Sequence, residues 1–163
     1  MEEKFAISIY VSNKPGVLVR IAQTFARRGY NVDSLVVSPA HNTNFSRITV
    51  VVQGVPSSYD QILRQLNKLV DVVHAASHPS TDIVDREMAL FKVRAKPDQR
   101  AEIFQIVEVF RAKTVDITDQ SLVIETTGDS LKIDALEKLL EPMGLVEMVR
   151  SGKLIMKRGL EET

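Results

Sequence analysis

The residues with the most evident chemistry are Asn13-Lys14-Pro15-Gly16-Val17-Leu18. They stand between an alternating apolar run (Phe5, Ile7, Ile9, Val11) and an amphipathic stretch that ends at Gly29. A strand that turns through Pro-Gly into a helix presents free backbone N–H groups and the positive end of the helix dipole, a receptor for one small anion. Gly16 has no side chain, so a ligand carboxylate can come close to the main chain there. The same residues also suit a plain strand-to-helix turn, with Pro15 in the first helical turn and Asn13 as a local cap. Taken alone, the motif leaves both readings open.

Other chemistries have weaker support. The chain has no Cys, which removes disulfides, Cys-based zinc sites and thiol catalysis. His74 and His78 are four apart, but that spacing joins two ligands only on a helix, and this run reads as strand followed by linker. The glycines form neither GxGxxG nor GxxxxGK[ST], so no nucleotide cradle is expected. Asp82/Asp85 and Asp116/Asp119 fall in apparent linker or loop, where solvated charge outweighs acid/base work. Asp33-Ser34 lacks a nearby histidine and elbow glycines, so no catalytic residue and no metal ligand is assigned.

The elements that must hold the turn follow from periodicity. In the first half we read a strand from Phe5 to Val11, a helix from about Val17 to Arg28 capped by Gly29, and strands from about Asn31 to Ser38 and Phe45 to Gln53. A second helix follows Pro56-Ser57-Ser58 with Ile62, Leu66, Leu69 and Val73 on one stripe, and a fourth strand runs from about Asp71 to Ser77. The order is βαββαβ, and the second half repeats it. Met88 to Ala95 reads as strand, Asp98 to Phe110 as helix, and Val115 to Thr118 and Leu122 to Thr127 as strands. Gly128-Asp129-Ser130 supplies a turn and cap before a helix carrying Leu131, Ala135, Leu136, Leu139 and Leu140, which Pro142 and Gly144 stop, and a last strand, Val146 to Arg150, is extended past Ser151-Gly152 through Leu154 to Met156. The expected fold is α+β: two ferredoxin-like βαββαβ units over residues 1–77 and 86–163, with a linker at 78–85 around His78-Pro79-Ser80-Thr81-Asp82.

Composition sets the class. The 163 residues are 44% hydrophobic and 26% charged, as in a globular protein, and the 21 basic residues balance the 21 acidic ones. With no net field, nucleic acid and anionic membrane are not expected partners. The sequence has no apolar run of membrane-spanning length and no secretory pattern at Met1-Glu2-Glu3-Lys4, so the expected location is the cytoplasm.

Several strings together resemble one family. They are Asn13-Lys14-Pro15-Gly16-Val17-Leu18-Val19-Arg20, Arg28-Gly29-Tyr30-Asn31-Val32-Asp33-Ser34-Leu35, Ser46-Arg47-Ile48-Thr49 and Gln65-Leu66-Asn67-Lys68-Leu69-Val70-Asp71-Val72. Arg86-Glu87-Met88-Ala89-Leu90-Phe91-Lys92-Val93 and Val149-Arg150-Ser151-Gly152 extend the match over nearly the whole chain. The first half is similar to an ACT domain, the small amino-acid-sensing module, and the whole chain resembles the small regulatory subunit of acetolactate synthase. The His41-Asn42-Thr43-Asn44 loop and the stretch from about Lys113 to Leu139 fit less well.

The resemblance implies a regulatory subunit without a catalytic site, which activates a catalytic (large) subunit and confers feedback inhibition by a branched-chain amino acid, most often valine. It also implies a homodimer with the effector between two ACT domains: amides of Gly16, Val17 and Leu18 on its carboxylate, Asn13 at its polar groups, and Asn31 and Val32 from the neighbouring chain. An edge strand over Val32 to Val37, without Lys or Pro, fits such pairing. Thiamine diphosphate, magnesium and FAD are implied for the catalytic partner, and no cofactor for this chain. The alternative is an ACT-domain sensor acting on another enzyme or in a transcription factor. An acylphosphatase-like enzyme lacks its phosphate loop, since Gly54-Val55 leads into Pro56-Ser57-Ser58. An RNA-binding module lacks aromatics on the central strands, which carry Ile7, Ile9, Ile48 and Val50.

Overall fold

The computed structural model describes residues 3–163. Its elements are β1 (Glu3–Ser12), α1 (Val17–Arg27), β2 (Asn31–Pro39), β3 (Phe45–Gly54), α2 (Tyr59–Asn67), β4 (Val72–Ser77), β5 (Ile83–Arg94), α3 (Arg100–Val109), β6 (Lys113–Ile117), β7 (Ser121–Gly128), α4 (Ser130–Leu140), β8 (Leu145–Arg150) and β9 (Leu154–Lys157). The chain forms two compact units: residues up to Val84 together with Lys153–Thr163, and Asp85–Gly152. Sequence pattern places that last segment with the second domain, whereas in the structure it joins the first unit. Gly152, at φ +90°, breaks the strand, and β9 then pairs with β5 and ties back to residues before Val84.

In the first unit the strands form an antiparallel sheet in the order β2-β3-β1-β4. Alternation sends Ile7, Ile9 and Val11 of β1 and Ile48, Val50 and Val52 of β3 to one face, where they pack on the two helices. On α1 the four-residue spacing of Val17, Ile21 and Phe25 makes the buried stripe; on α2 it is Ile62 and Leu66. Full burial of each such side chain contributes about 1.5–3 kcal/mol, so Phe25→Ala would cost about 3–5 kcal/mol. Helix α1 stops at Gly29, whose φ of +71° a side chain would strain. The Gly29 and Tyr30 N–H groups donate back to the carbonyls of Ala26 and Phe25, at 3.0 and 3.2 Å.

The second unit repeats the topology in the order β6-β7-β5-β8, with Phe91, Val93, Ile103, Leu122, Ile124 and Leu136 in its core. Several expectations need correction. Strand β5 begins at Ile83, inside the expected linker, of which only Ser80–Asp82 forms a 3-10 turn. On α4 the inward stripe is Ile133, Leu136 and Leu140, whereas Leu131 is 79% and Leu139 45% exposed. Val73 sits on β4 with its side chain exposed rather than on the α2 stripe.

On the first sheet, the face away from the helices is covered by the returning tail. Ser8 and Thr49 are buried there although they alternate with core residues. Arg47 Nη1 donates to the Thr163 main-chain O at 3.1 Å, the Lys157 N–H to Thr163 Oγ1 at 2.8 Å, and the Arg158 N–H to the Asp82 carbonyl at 2.8 Å.

Candidate functional site

The β1–α1 turn is fixed by main-chain bonds and left open at its tip. The Ser12 N–H donates to the Asp71 carbonyl and the Asn13 N–H to the Asn44 carbonyl, each at 2.8 Å. Gly16 is the residue before the helix, at φ +84°, and no side chain caps the helix. Asn13 is therefore not the cap: its Nδ2 donates to the Thr43 carbonyl at 2.9 Å, so it pins the β2–β3 loop beside the turn. Val17 spends its N–H on the Lys14 carbonyl over a long 3.5 Å, and its side chain is buried. The remaining first-turn amides, beginning with Leu18, have no carbonyl four residues earlier within the helix to accept them.

Gly16 is constrained in two ways. Its positive φ disfavours any side chain, and a Cβ there would lie 3.3 Å from Arg20 Nη1. Arg20, one helical turn on, folds back beside Gly16 and forms a close ion pair with Asp71. Arg20 belongs to no expected site residue set, and the only sequence signal for it is the i+4 spacing from Gly16 that puts the two on one helix face.

Asn31 and Val32 lie elsewhere. Asn31 pairs with Gln53, which pairs with Lys4. From Lys4 to Ser12, β1 covers about 27 Å at ~3.4 Å per residue. One chain therefore brings together Asn13, Gly16, Val17 and Leu18 and holds Asn31 and Val32 at the far end of the sheet. Strand β2 bonds β3 on one side only; Leu35 and Val37 on it are 42% and 43% exposed, and Asp33 pairs with Lys4 at 2.6 Å.

The histidines stay apart in role. His74 is exposed on β4, and His78 Nε2 lies 2.7 Å from Ser8 Oγ. Burial, then the charges of Lys157 and His74, push the His78 pKa below its ordinary value, with Asp82 opposing them. Among the described residues no group of three His, Cys, Asp or Glu side chains could hold a metal.

The second unit fills the corresponding turn. After β5, Arg100 Nε and Nη2 each donate to the Ala95 carbonyl at 3.3 Å, and Nη2 also reaches the Thr118 carbonyl in the β6–β7 loop. Its polar centre lies at the other end of the sheet. Glu87, 5% exposed, accepts from Arg150 Nη2 in a close ion pair and from Ser130 Oγ at 3.0 Å, and Arg150 Nη1 bonds Asp134 at 2.6 Å. Those hydrogen bonds raise the Arg150 pKa further above its already high value. The strings around Glu87 and Arg150 are therefore tied into one network.

Comparison with known proteins matches both units. Residues 7–74 fit the family described as AHAS small subunit-like ACT domain, and residues 86–159 fit the small subunit of acetolactate synthase. A probable acetolactate synthase small subunit of Archaeoglobus fulgidus is 41% identical over 96% of this chain and 98% of its own. The chain belongs to the acetolactate synthase small-subunit family. An acetolactate synthase small subunit of Mycolicibacterium smegmatis is 43% identical over 94% of this chain and 90% of its own. The crystal structure of the small subunit from Thermotoga maritima superposes with a TM-score of 0.87 at 38% identity, covering 98% of this chain and 99% of that one. The first unit is thus an ACT domain and the fold two ferredoxin-like units, in a family of regulatory rather than catalytic subunits. No helix is long and apolar enough to cross a membrane among the described residues.

Proposed function

We propose that this chain forms a homodimer through β2, binds a branched-chain amino acid, valine foremost, at the Asn13–Leu18 turn, and transmits that binding to a catalytic large subunit as feedback inhibition. In the effector's absence it raises that subunit's activity. The observation that carries the reading is the uncapped turn at Gly16 with Asn31 stranded at the opposite end of the same sheet. Antiparallel pairing of two β2 edges about Leu35 would set Asn31 of the second copy opposite Pro39. Pro39 is level with Val11, through Ser46, at the end where the turn lies. Asn31 and Val32 of the second copy would then complete a site that one chain leaves open. The effector carboxylate would take the amides of Gly16 and Leu18, with Val17 contributing less because its N–H is partly spent. Asn13, fixed by its bond to Thr43, would offer its Oδ1 to the ammonium group.

Sensing and dimerisation fall to the first unit, residues 1–77 with the returning tail. Residues 85–152 form the second unit of the regulatory subunit. Thiamine diphosphate, magnesium and FAD belong to the catalytic partner, and the assembly works in the cytoplasm. Calorimetric titration of the purified chain with valine, leucine and isoleucine, followed by acetolactate synthesis with and without the catalytic subunit, tests the reading. Saturable valine binding, no turnover of pyruvate by the chain alone and valine-sensitive activation in the mixture are expected. Absence of binding by all three amino acids would overturn it.

A further inference from the structure

The Gln65-Leu66-Asn67-Lys68-Leu69-Val70-Asp71-Val72 string links α2 to β4, and β4 is the edge of the first sheet opposite β2, since it pairs with β1 alone. An edge strand presents unpaired N–H and C=O groups that a strand of another chain can take up. Asn67 takes them up first. Its Nδ2 donates to the Ala75 carbonyl at 2.9 Å, and the Ala75 N–H donates to its Oδ1 at 2.9 Å. The side-chain amide thus stands in for one residue of a neighbouring strand, donor and acceptor each facing its complement. The other Nδ2 proton goes to the Leu63 carbonyl at 2.9 Å, one helical turn back, so only one orientation of the amide satisfies all three bonds. The short link makes the meeting possible: the Leu69 N–H donates to the Leu66 carbonyl and the Val72 N–H to the Leu69 carbonyl, each at 3.1 Å, which turns the chain back on α2.

The approach to this edge is open. Asn67 is exposed, and a groove of about 550 Å³ lies along the edge, lined from α2 by Leu63 and Arg64 and from β4 by Ala75 and Ser77. Register turns the main-chain groups of Ser77, two residues beyond Ala75, to the same side. A bulge interrupts both edges of the sheet, at Val73 on β4 and at Asp33 on β2, so bulges do not separate them. The clamp does: among the described residues no side chain bonds the main chain of β2.

We infer that Asn67 closes the β4 edge to strand addition by a second copy of the chain, so that the first unit offers one pairing edge and assembly through its sheet ends at two copies. A sheet with both edges open can add a copy at each, whereas a sheet with one open edge is used up by a single partner. The count of two rests on the β2 pairing proposed above. The closure of β4 rests on the Asn67 bonds alone.

The test is sedimentation of the full chain over a dilution series, with amide exchange at Ala75 as the local readout. Asn67→Ala removes the clamp and should form species larger than wild type that grow with concentration. At low concentration its Ala75 amide should exchange about tenfold faster than in wild type, and it should slow again as the larger species form. The Ala76 amide, which alternation turns toward β1, should stay unchanged. Asn67→Lys loses the same three bonds but sets a charge on the edge, and should sediment as wild type. Equal growth of the two variants would trace the association to a weakened fold and overturn the inference. Sedimentation of Asn67→Ala identical to wild type, or equal Ala75 exchange in the two, would overturn it as well. Adding Leu35→Lys separates this inference from the β2 reading: in Leu35→Lys/Asn67→Ala, copies should pair through β4 and stop at two. If Leu35→Lys changes neither the wild-type nor the Asn67→Ala assembly, the β2 interface fails while the closure of β4 stands.

Discussion

The two units share a strand order and differ at the connection that follows their first strand. After β1 the chain passes through a glycine at positive φ, leaves the helix uncapped, and keeps its neighbouring guanidinium on Asp71 at the side. After β5 it passes through Ala95-Lys96-Pro97-Asp98, where Gln99 bonds back to the Lys96 N–H and Arg100 plugs the space between two carbonyls. The same topology therefore yields one turn built on a glycine at positive φ and one whose carbonyls an arginine has taken up. The second unit places its buried ion pair at Glu87 and Arg150, at the end of its sheet away from this turn.

Breaking that contrast should cost most at Gly16. Gly16→Asp would set a carboxylate against the effector carboxylate; at ~4 Å and an effective dielectric of ~20 the repulsion is about 4 kcal/mol, nearly a thousandfold in affinity. Lys96→Asp in the second unit should leave valine binding unchanged. Calorimetry on both variants, with circular dichroism to confirm folding, decides the matter, and wild-type affinity in folded Gly16→Asp removes the turn from the site.

Next in size is the network of the second unit. Glu87→Ala strips the buried acceptor from Arg150 and Ser130 and should destabilise that unit by about 2–3 kcal/mol, the lower end because Arg150 keeps some solvent contact. Asp71→Asn, at the exposed pair of the first unit, should cost at most about 1 kcal/mol. Urea unfolding of the two variants compares them directly, and equal losses would deny that the polar groups of the units play different parts.

Arg100→Ala should cost about 1–2 kcal/mol for its lost bonds to Ala95 and Thr118 and free the turn after β5. Amide exchange near Gln99 should speed up; if it does not, the plug is not what closes this turn. Leu35→Lys adds charge to the β2 edge without removing a bond within the sheet, and should weaken dimerisation about tenfold, or ~1.4 kcal/mol. The same change at Val115 on β6 should do nothing to assembly. Sedimentation over a dilution series reads both, and a Leu35→Lys dimer as tight as wild type would place the interface elsewhere.

The smallest expected effect is on pH dependence, and it belongs to the first unit, since all three histidines lie there. Burial holds the folded His78 pKa below its ordinary value, so the unfolded chain binds the proton first as pH falls. The associated stability is complete above ~6.5 and declines below it through the folded value. His78→Gln should flatten that decline in denaturation midpoints between acid and neutral pH, and an unchanged slope would show that His78 carries none of it.

Much of this is legible in the residues. Apolar spacing reveals both βαββαβ units, because each core stripe is local in sequence. The turn from Asn13 to Leu18 is local too and can be found from Pro15-Gly16. Asn31 can be named but not placed, since its distance from the turn depends on strand register. The stripe on α4 is ambiguous because Leu131, Ala135 and Leu139 recur every four residues as regularly as the buried Ile133, Leu136 and Leu140. Arg100 carries no signal of its plugging role: its partners are backbone carbonyls, one of them eighteen residues away. The tail reads as part of the second unit because β9 has the same apolar character as β8, and only the left-handed Gly152 between them marks the change of direction.

Because the first unit is made of residues up to Val84 and again of Lys153–Thr163, it is interrupted by the whole of the second. A ribosome delivers its sheet and helices early and its final cover late, with all of Asp85–Gly152 emerging in between. During that interval Ser8, Thr49 and the rest of that face lack the cover that the tail gives them. The second unit, contiguous in sequence, can close on its own as soon as β8 has left the exit tunnel. Synthesis therefore completes the insert before it completes the domain that contains it.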